Sequence, residues 1–161
     1  MGLYLFLFDL WVIANRTLEV SQYLMNEGWQ NDDYLIILTQ DESLAAMKAY
    51  RFDHYLPGYT LLGLRSWDDF IVINSCGVMF TVPTLPLDAS CVAPFALPQQ
   101  ISLEPDEQFA GKIKWHVKPL ICGGDPTDKT NVAWITHKQH AELVVWWNEQ
   151  YKRAGAQHLS D

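Results

Sequence analysis

The sequence predicts an α+β fold: a single domain over residues 1–161, with a mainly antiparallel sheet (a meander) packed against helices and a C-terminal helix. Three observations carry that expectation. Three short β-rich runs, Tyr59–Leu64, Phe70–Asn74 and Val78–Val82, are separated only by hairpin-sized pieces, RSWDD and SCG. Two helix starts carry a capping-box spacing, Thr39 with Glu42 and Thr136 with Gln139. The element order does not alternate strand and helix in the way a parallel βαβ series would.

Taken in order, Leu3 to Met25 is apolar on nearly every side. Helix is expected for Leu10–Met25, ending near Asn26–Gly28. Tyr34–Leu38 (YLIIL) is short, β-branched and bounded by Asn31-Asp32-Asp33, which reads as a strand. Thr39 then caps a helix through SLAAMKAY, reaching Tyr50 or His54. Leu56-Pro57-Gly58 turns the chain into the meander. Pro83, Pro86, Pro94 and Pro98 keep the next segment extended and irregular, so no regular central strand runs through it. Gln99–Gly111 reads as loop. Lys112–Cys122 alternates Ile113, Trp115 and Val117 with Lys112, Lys114, His116 and Lys118, a half-buried strand that Pro119 assigns to an edge. Val132–Ile135 is a short strand. The last helix runs from His137 to about Arg153, stacking Leu143, Val144, Trp147 and Tyr151 on one face, with 154–161 as a flexible tail.

Composition narrows the function classes. Hydrophobic residues are 49% of the chain, enough for a substantial core. Eleven basic against nineteen acidic residues give −8, a surface that repels nucleic acid and anionic lipid and suits a basic partner. Cys76, Cys91 and Cys122 are an odd number, widely spaced and without a CxxC pair, so reduced thiols are expected. The apolar start has no basic n-region, Asp9 interrupts it, and it is too short to span a bilayer. A cytoplasmic protein without membrane contact is the expectation.

Among the motifs, Gly123–Thr130 (GGDPTDKT) misses the phosphate-binding pattern G-x-x-x-x-G-K-[ST] by one residue, since Asp128 stands at the second glycine. Pro126 removes an N–H donor, Asp125 and Asp128 oppose a polyphosphate, and a strand rather than a helix follows. As a metal loop, Asp125, Thr127, Asp128 and Asn131 supply oxygens, but the twelfth position is Thr136 rather than a bidentate Glu. A Gly-Gly-Asp-Pro turn is the better reading. His137 and His140 could pair on a metal, yet no third ligand is signalled, and they read as helix-start residues. No G-x-S-x-G elbow occurs. Asp32-Asp33, Asp41-Glu42 and Asp68-Asp69 suit solvated surface or cap charges better than acid–base catalysis. No enzyme site, cofactor or metal is therefore expected. What remains is Trp29 and Trp67, placed in loops beside Asp32-Asp33 and Asp68-Asp69. They would be interface anchors if exposed and ordinary core residues if buried.

The run from Tyr23 to Asn74, with Asn26-Glu27-Gly28, Leu56-Pro57-Gly58 and the turn Ser66–Asp69, resembles the SUKH superfamily of bacterial immunity proteins, which includes a yeast cell-wall-assembly regulator. VMFTVP at Val78–Pro83, Leu85-Pro86-Leu87-Asp88 and the C-terminal GGDPTDKTNVAWITHKQHAELVVWWN extend the likeness over roughly 18–151. The family's usual N-terminal segment is not recognisable in MGLYLFLFDLWVIANR, and Arg65-Ser66-Trp67-Asp68-Asp69 stands where it has a glycine-rich turn. The resemblance implies a non-catalytic domain that neutralises a cognate polymorphic toxin, such as a nuclease with a basic cleft, by occluding its active site or substrate groove. Trp29, Asp32, Asp33, Trp67, Asp68 and Asp69 are the candidate contact residues. A regulatory or scaffold module of the same fold is the alternative, with a small hydrolase or nucleotide-binding enzyme behind it.

Overall fold

The computed structural model describes residues 26–158. The helix expected over Leu10–Met25 and the last residues of the expected tail lie outside that range. Eight strands are described: β1 Glu27–Gln30, β2 Asp33–Ile37, β3 Tyr59–Arg65, β4 Asp69–Asn74, β5 Met79–Pro83, β6 Ala93–Pro94, β7 Ile113–His116 and β8 Val132–Ile135. The first six form one antiparallel meander in the order β1-β2-β3-β4-β5-β6, and β7 and β8 pair separately as an antiparallel hairpin. Helices are α1 Gln40–Ala49, α2 Phe52–Tyr55 and α3 His137–His158. This is an α+β domain with its sheet mainly antiparallel and a C-terminal helix.

Local sequence explains most boundaries. At α1 the capping box is complete: Glu42 N donates to Thr39 Oγ1 at 3.3 Å and Thr39 N donates to Glu42 Oε2 at 2.8 Å. The second box closes the same way, with Gln139 N on Thr136 Oγ1 at 3.2 Å and Thr136 N on Gln139 Oε1 at 3.0 Å. Helix α3 continues beyond Arg153 to His158, so the tail expected to begin at Ala154 is helical for five residues more. Helix propensity in Ala154 and Ala156 outweighs the cost of Gly155, about 1 kcal/mol against Ala.

Strand β1 was not foreseen. Asn26–Gln30 reads as a helix end plus loop, yet Gly28 pairs with Leu35 and Trp29 with Tyr34. The close approach of another backbone selects glycine here: a Cβ on Gly28 would collide with the carbonyl of Glu104. Trp29 and Glu104 exchange backbone hydrogen bonds at 2.9 Å in both directions, extending the sheet past β1 by one bridge.

Both faces of the sheet are covered. Ile36, Leu64, Phe70 and Val82 are register partners in turn across β2, β3, β4 and β5, and they face the helices. A bulge at Leu62 keeps Leu61 on that same face, opposite Val72. A strict period of two would have placed Leu61 and Leu64 on opposite faces. The other face carries Leu35 and Ile71, also buried. The chain leaves β6 at one edge and reaches Glu104 just beyond β1 at the other, six inter-strand spacings or about 29 Å away. Ten residues at about 3.3 Å each suffice only if nearly extended, which the prolines enforce. Phe95 lies under the Arg65 guanidinium at 5.4 Å, on the face that Arg65 shares with Leu35.

The helix-side core joins Tyr50, Phe52 and Phe70 to Ile113 and Trp115 of β7 and to Ala141 and Val144 of α3. Asn148 of α3 fastens the chain after β5: its Oδ1 accepts from Leu87 N at 2.7 Å, and its Nδ2 donates to Thr84 O at 2.9 Å. Arg51 at positive φ separates α1 from α2, and its guanidinium meets Glu149 of α3 at 3.0 Å.

Candidate functional site

The six residues singled out in the sequence converge at one end of the meander. Antiparallel pairing explains this: the β1–β2 turn (Asn31-Asp32) and the β3–β4 turn (Ser66-Trp67-Asp68) lie at the same end, two strands apart. Ser66 N donates to Tyr34 O at 2.7 Å and Ser66 Oγ to Asp33 Oδ1 at 3.2 Å, binding the two turns together.

The acids differ in what holds them. Asp33 Oδ2 is 2.9 Å from Arg65 Nε, though the N–H is not aligned for a hydrogen bond, so the contact is Coulombic. Asp33 is thus committed to the turn rather than offered outward. Asp32 and Asp68 are exposed. Asp69 is half-buried. Its carboxyl is shifted upward, first by loss of water and then by Asp68, with Arg65 opposing and Asp33 adding to the rise. Asp68 is also shifted upward, because its inner side loses water, while His116 and Lys114 of β7 pull it back.

The tryptophans are not loop anchors. Trp29 lies on β1, half-buried, and its Nε1 donates to Asp106 Oδ2 at 3.0 Å. Trp67 is only 8% exposed, and its indole stacks on Tyr34 with centroids 4.9 Å apart and planes 18° from parallel. The core alternative therefore describes Trp67. Its backbone is unusual: Ser66 and Trp67 adopt φ of 46° and 64°. Such left-handed geometry favours glycine and costs a bulky residue about 1–2 kcal/mol. Burial of the indole offsets that cost, which is how a turn without glycine is held.

Sequence reasoning missed the ring that does reach solvent. Trp134 on β8 is 42% exposed and packs edge-on against Trp67 at 5.3 Å and flat against Phe109 at 5.0 Å. Its one signal was alternation within VAWI, which sets Trp134 on the face opposite Ala133 and Ile135. Phe109 and Asp106 sit in a stretch read only as loop and carried no signal.

Gly123–Thr130 is a turn built from its own polar groups. Asp125 Oδ1 accepts from Thr127 N and Oγ1 at 2.8 and 2.7 Å, and Asp128 Oδ1 accepts from Thr130 N and Oγ1 at the same distances. These bonds hold both carboxyls below their usual range. Asn131 then clamps the hairpin: Oδ1 accepts from Lys118 N at 2.7 Å while Nδ2 donates to Lys118 O at 3.0 Å. A Cβ at Gly124 would strike that same Lys118 carbonyl, so the second glycine serves close approach. Strand β8 follows, not a helix aimed at an anion.

His137 and His140 diverge. His137 is partly exposed, whereas His140 is fully buried, its Nδ1 2.6 Å from Tyr50 Oη. Among the described residues no group of three His, Cys, Asp or Glu side chains is placed to hold a metal ion, and no described helix is long and apolar enough to cross a membrane. Fold and site together define an α+β domain whose sheet ends in acids set around an aromatic stack. Comparison of the chain with protein-family models, with curated proteins and with solved structures found no match.

Proposed function

We propose that this chain is a non-catalytic immunity protein of the SUKH type, which neutralises a cognate protein toxin by occluding its active site or substrate groove. The observation that carries the reading is the convergence of Asp32, Asp33, Asp68 and Asp69 beside the half-exposed Trp134, in a chain of net charge −8. An acidic rim around a rigid aromatic suits a basic, nucleic-acid-binding cleft, because complementary charge speeds encounter and a flat ring supplies desolvated contact. The held turn supports it too, since a strained Ser66-Trp67 pair locked by burial presents Asp68 in one geometry. Such outliers cluster where a surface is used.

The test is co-expression with a candidate cognate toxin, sought among the genes neighbouring the one for this chain. Asp32→Lys with Asp68→Lys reverses the two exposed charges without breaking the Asp33–Arg65 contact. Protection should be lost, and association slowed about tenfold or more at low salt with the salt dependence flattened. Full protection and unchanged salt dependence in a folded double variant would exclude this face.

A further inference from the structure

Among the described residues the β7–β8 hairpin pairs only with itself, and its two open edges differ. Strand β7 carries Lys114 and is flanked by Lys112, Lys118 and Pro119, the charges and proline that keep an edge from pairing. Strand β8 reads VAWI and carries neither. The hydrogen-bond phase fixes what this edge presents. Val117 N donates to Asn131 O at 2.9 Å, so by alternation Ala133 and Ile135 turn their main-chain groups toward β7, while Val132 and Trp134 turn theirs outward. The Val132 N–H is taken by Lys129 O. The Val132 C=O and both main-chain groups of Trp134 have no partner among the described residues. A donor and two acceptors at strand spacing are recognised by the main chain of an extended segment.

Beside this edge, on the face that Ile135 shares with Ala133, lies a groove of about 420 Å³. Ile135 forms one wall, and Gln139, Glu142, Leu143 and Trp146 form the other, at i, i+3, i+4 and i+7 of α3. Trp146 is 54% exposed and packs edge-on at 4.9 Å against Trp147, which is itself packed on the core. Glu142 is exposed and makes no ion pair among the described residues. Apolar walls, an indole and a carboxylate together suit a long cationic side chain, its stem on Ile135 and Leu143 and its charge at Trp146 and Glu142.

We infer that β8 and this groove bind an extended segment of a partner protein, which adds as a strand at Trp134 and places an arginine in the groove. Strand periodicity supports the pairing of the two sites, because a residue set opposite Ile135 turns its side chain to the groove while its neighbour pairs with Trp134. Charge decides the occupant. A second copy would bring the same uncharged edge and its own net charge of −8, answering Glu142 with like charge. That the segment belongs to a toxin rests on the immunity reading; the chemistry of the site does not.

The test adds a backbone-cyclised β-hairpin peptide, whose outer strand reads Thr-Val-Arg-Val-Thr, to the full chain and follows amide NMR signals. Saturable shifts at Trp134, Ile135, Leu143 and Trp146 are expected, with slowed hydrogen exchange at the Trp134 amide. Citrulline in place of arginine keeps the shape and removes the charge, and should weaken binding about fivefold or more. Glu142→Gln and Trp146→Ala, both at exposed positions, should do the same. N-methylation of the two valines should abolish binding, because their amides face β8. The inference is overturned by the absence of saturable shifts up to about 5 mM peptide, or by binding indifferent to citrulline and to Glu142→Gln. A free chain that sediments as a dimer with its Trp134 amide already protected would assign the edge to a second copy and overturn it too. No toxin enters this assay, so the two readings fail separately. Peptide binding together with full protection by the Asp32→Lys, Asp68→Lys variant would remove the immunity face and keep this site, and the converse pair of results would remove this site alone.

Discussion

His140 should make the protein acid-sensitive well above the range of its carboxylates. The imidazole has no solvent exposure and lies among the rings of Tyr50, Phe70 and Trp115, with centroids 5.4–6.3 Å away. Its Nδ1 is bonded to Tyr50 Oη, and its Nε2 has no hydrogen-bond partner. If Tyr50 donates, Nε2 keeps its proton and points it at aromatic rings, the less costly tautomer. Burial, with His137 adding repulsion, pushes the group from 6.5 down to about 3. The unfolded chain takes up a proton as pH falls through 6.5, whereas the folded one does not until about pH 3. Stability contributed by the neutral imidazole is complete above pH 6.5 and declines between there and pH 3. The slope is about 1.4 kcal/mol per pH unit, so the loss from pH 7 to pH 5 is about 2 kcal/mol. His140→Asn can still accept from Tyr50 but does not titrate. Urea denaturation at pH 7, 6 and 5 should show the wild type losing about 2 kcal/mol more than the variant over that range. Parallel curves would refute a buried, neutral His140. The absolute stability of the variant, lowered at every pH by its smaller side chain, does not enter the comparison.

Trp67→Gly relaxes the left-handed turn by about 1–2 kcal/mol but forfeits about 3–5 kcal/mol of indole burial, for a net loss of about 1–4 kcal/mol in a thermal melt. Asn131→Ala removes the clamp on Lys118 and should cost about 2–3 kcal/mol, with faster hydrogen exchange at Lys118, whereas exposed Lys129→Ala in the same loop stays within about 0.5 kcal/mol. Millimolar ATP with magnesium should leave Tm unchanged, because the turn at Gly123–Thr130 has spent its donors on itself; a rise would mark a ligand of the native state. Glu27 is buried, with Oε1 accepting from Gly111 N at 2.7 Å and Oε2 from Tyr34 Oη at 3.2 Å, and desolvation raises its carboxyl above 4.5. Stability tied to its protonated form is therefore lost as pH rises through the folded value. Glu27→Gln should remove that loss, and the gain should appear at pH 7 but not at pH 4 in paired denaturation curves.

Strand and helix identities were written locally. Thr39 with Glu42 and Thr136 with Gln139 closed the two boxes that their spacing announced, because a cap is made of neighbours within four residues. The meander followed from β-rich runs and turns too short for any other connection. The turn at Gly123–Thr130 followed from proline, glycine and aspartate. Bringing Asp32-Asp33 and Asp68-Asp69 to one end of the sheet took long-range pairing as well, because β2 reaches β3 only through α1 and α2 and lies antiparallel to it.

Tertiary structure decided the rest. Strand β1 exists because Leu35 and Glu104 supply ladder partners on either side of a segment whose own residues suggested a helix end. Leu61 and Leu64 share a face because a bulge absorbed one residue, which no periodicity reveals. Trp67 is core and Trp134 is surface because Tyr34, Phe109 and the β7–β8 hairpin, distant in sequence, close over one indole and leave the other at the rim. By itself the sequence determined an acidic α+β domain with capped helices and a three-stranded meander, since those depend on contacts within a few residues. Which side chains that domain shows to a partner was set only by long-range packing, where burying an indole outweighs the backbone strain needed to bury it.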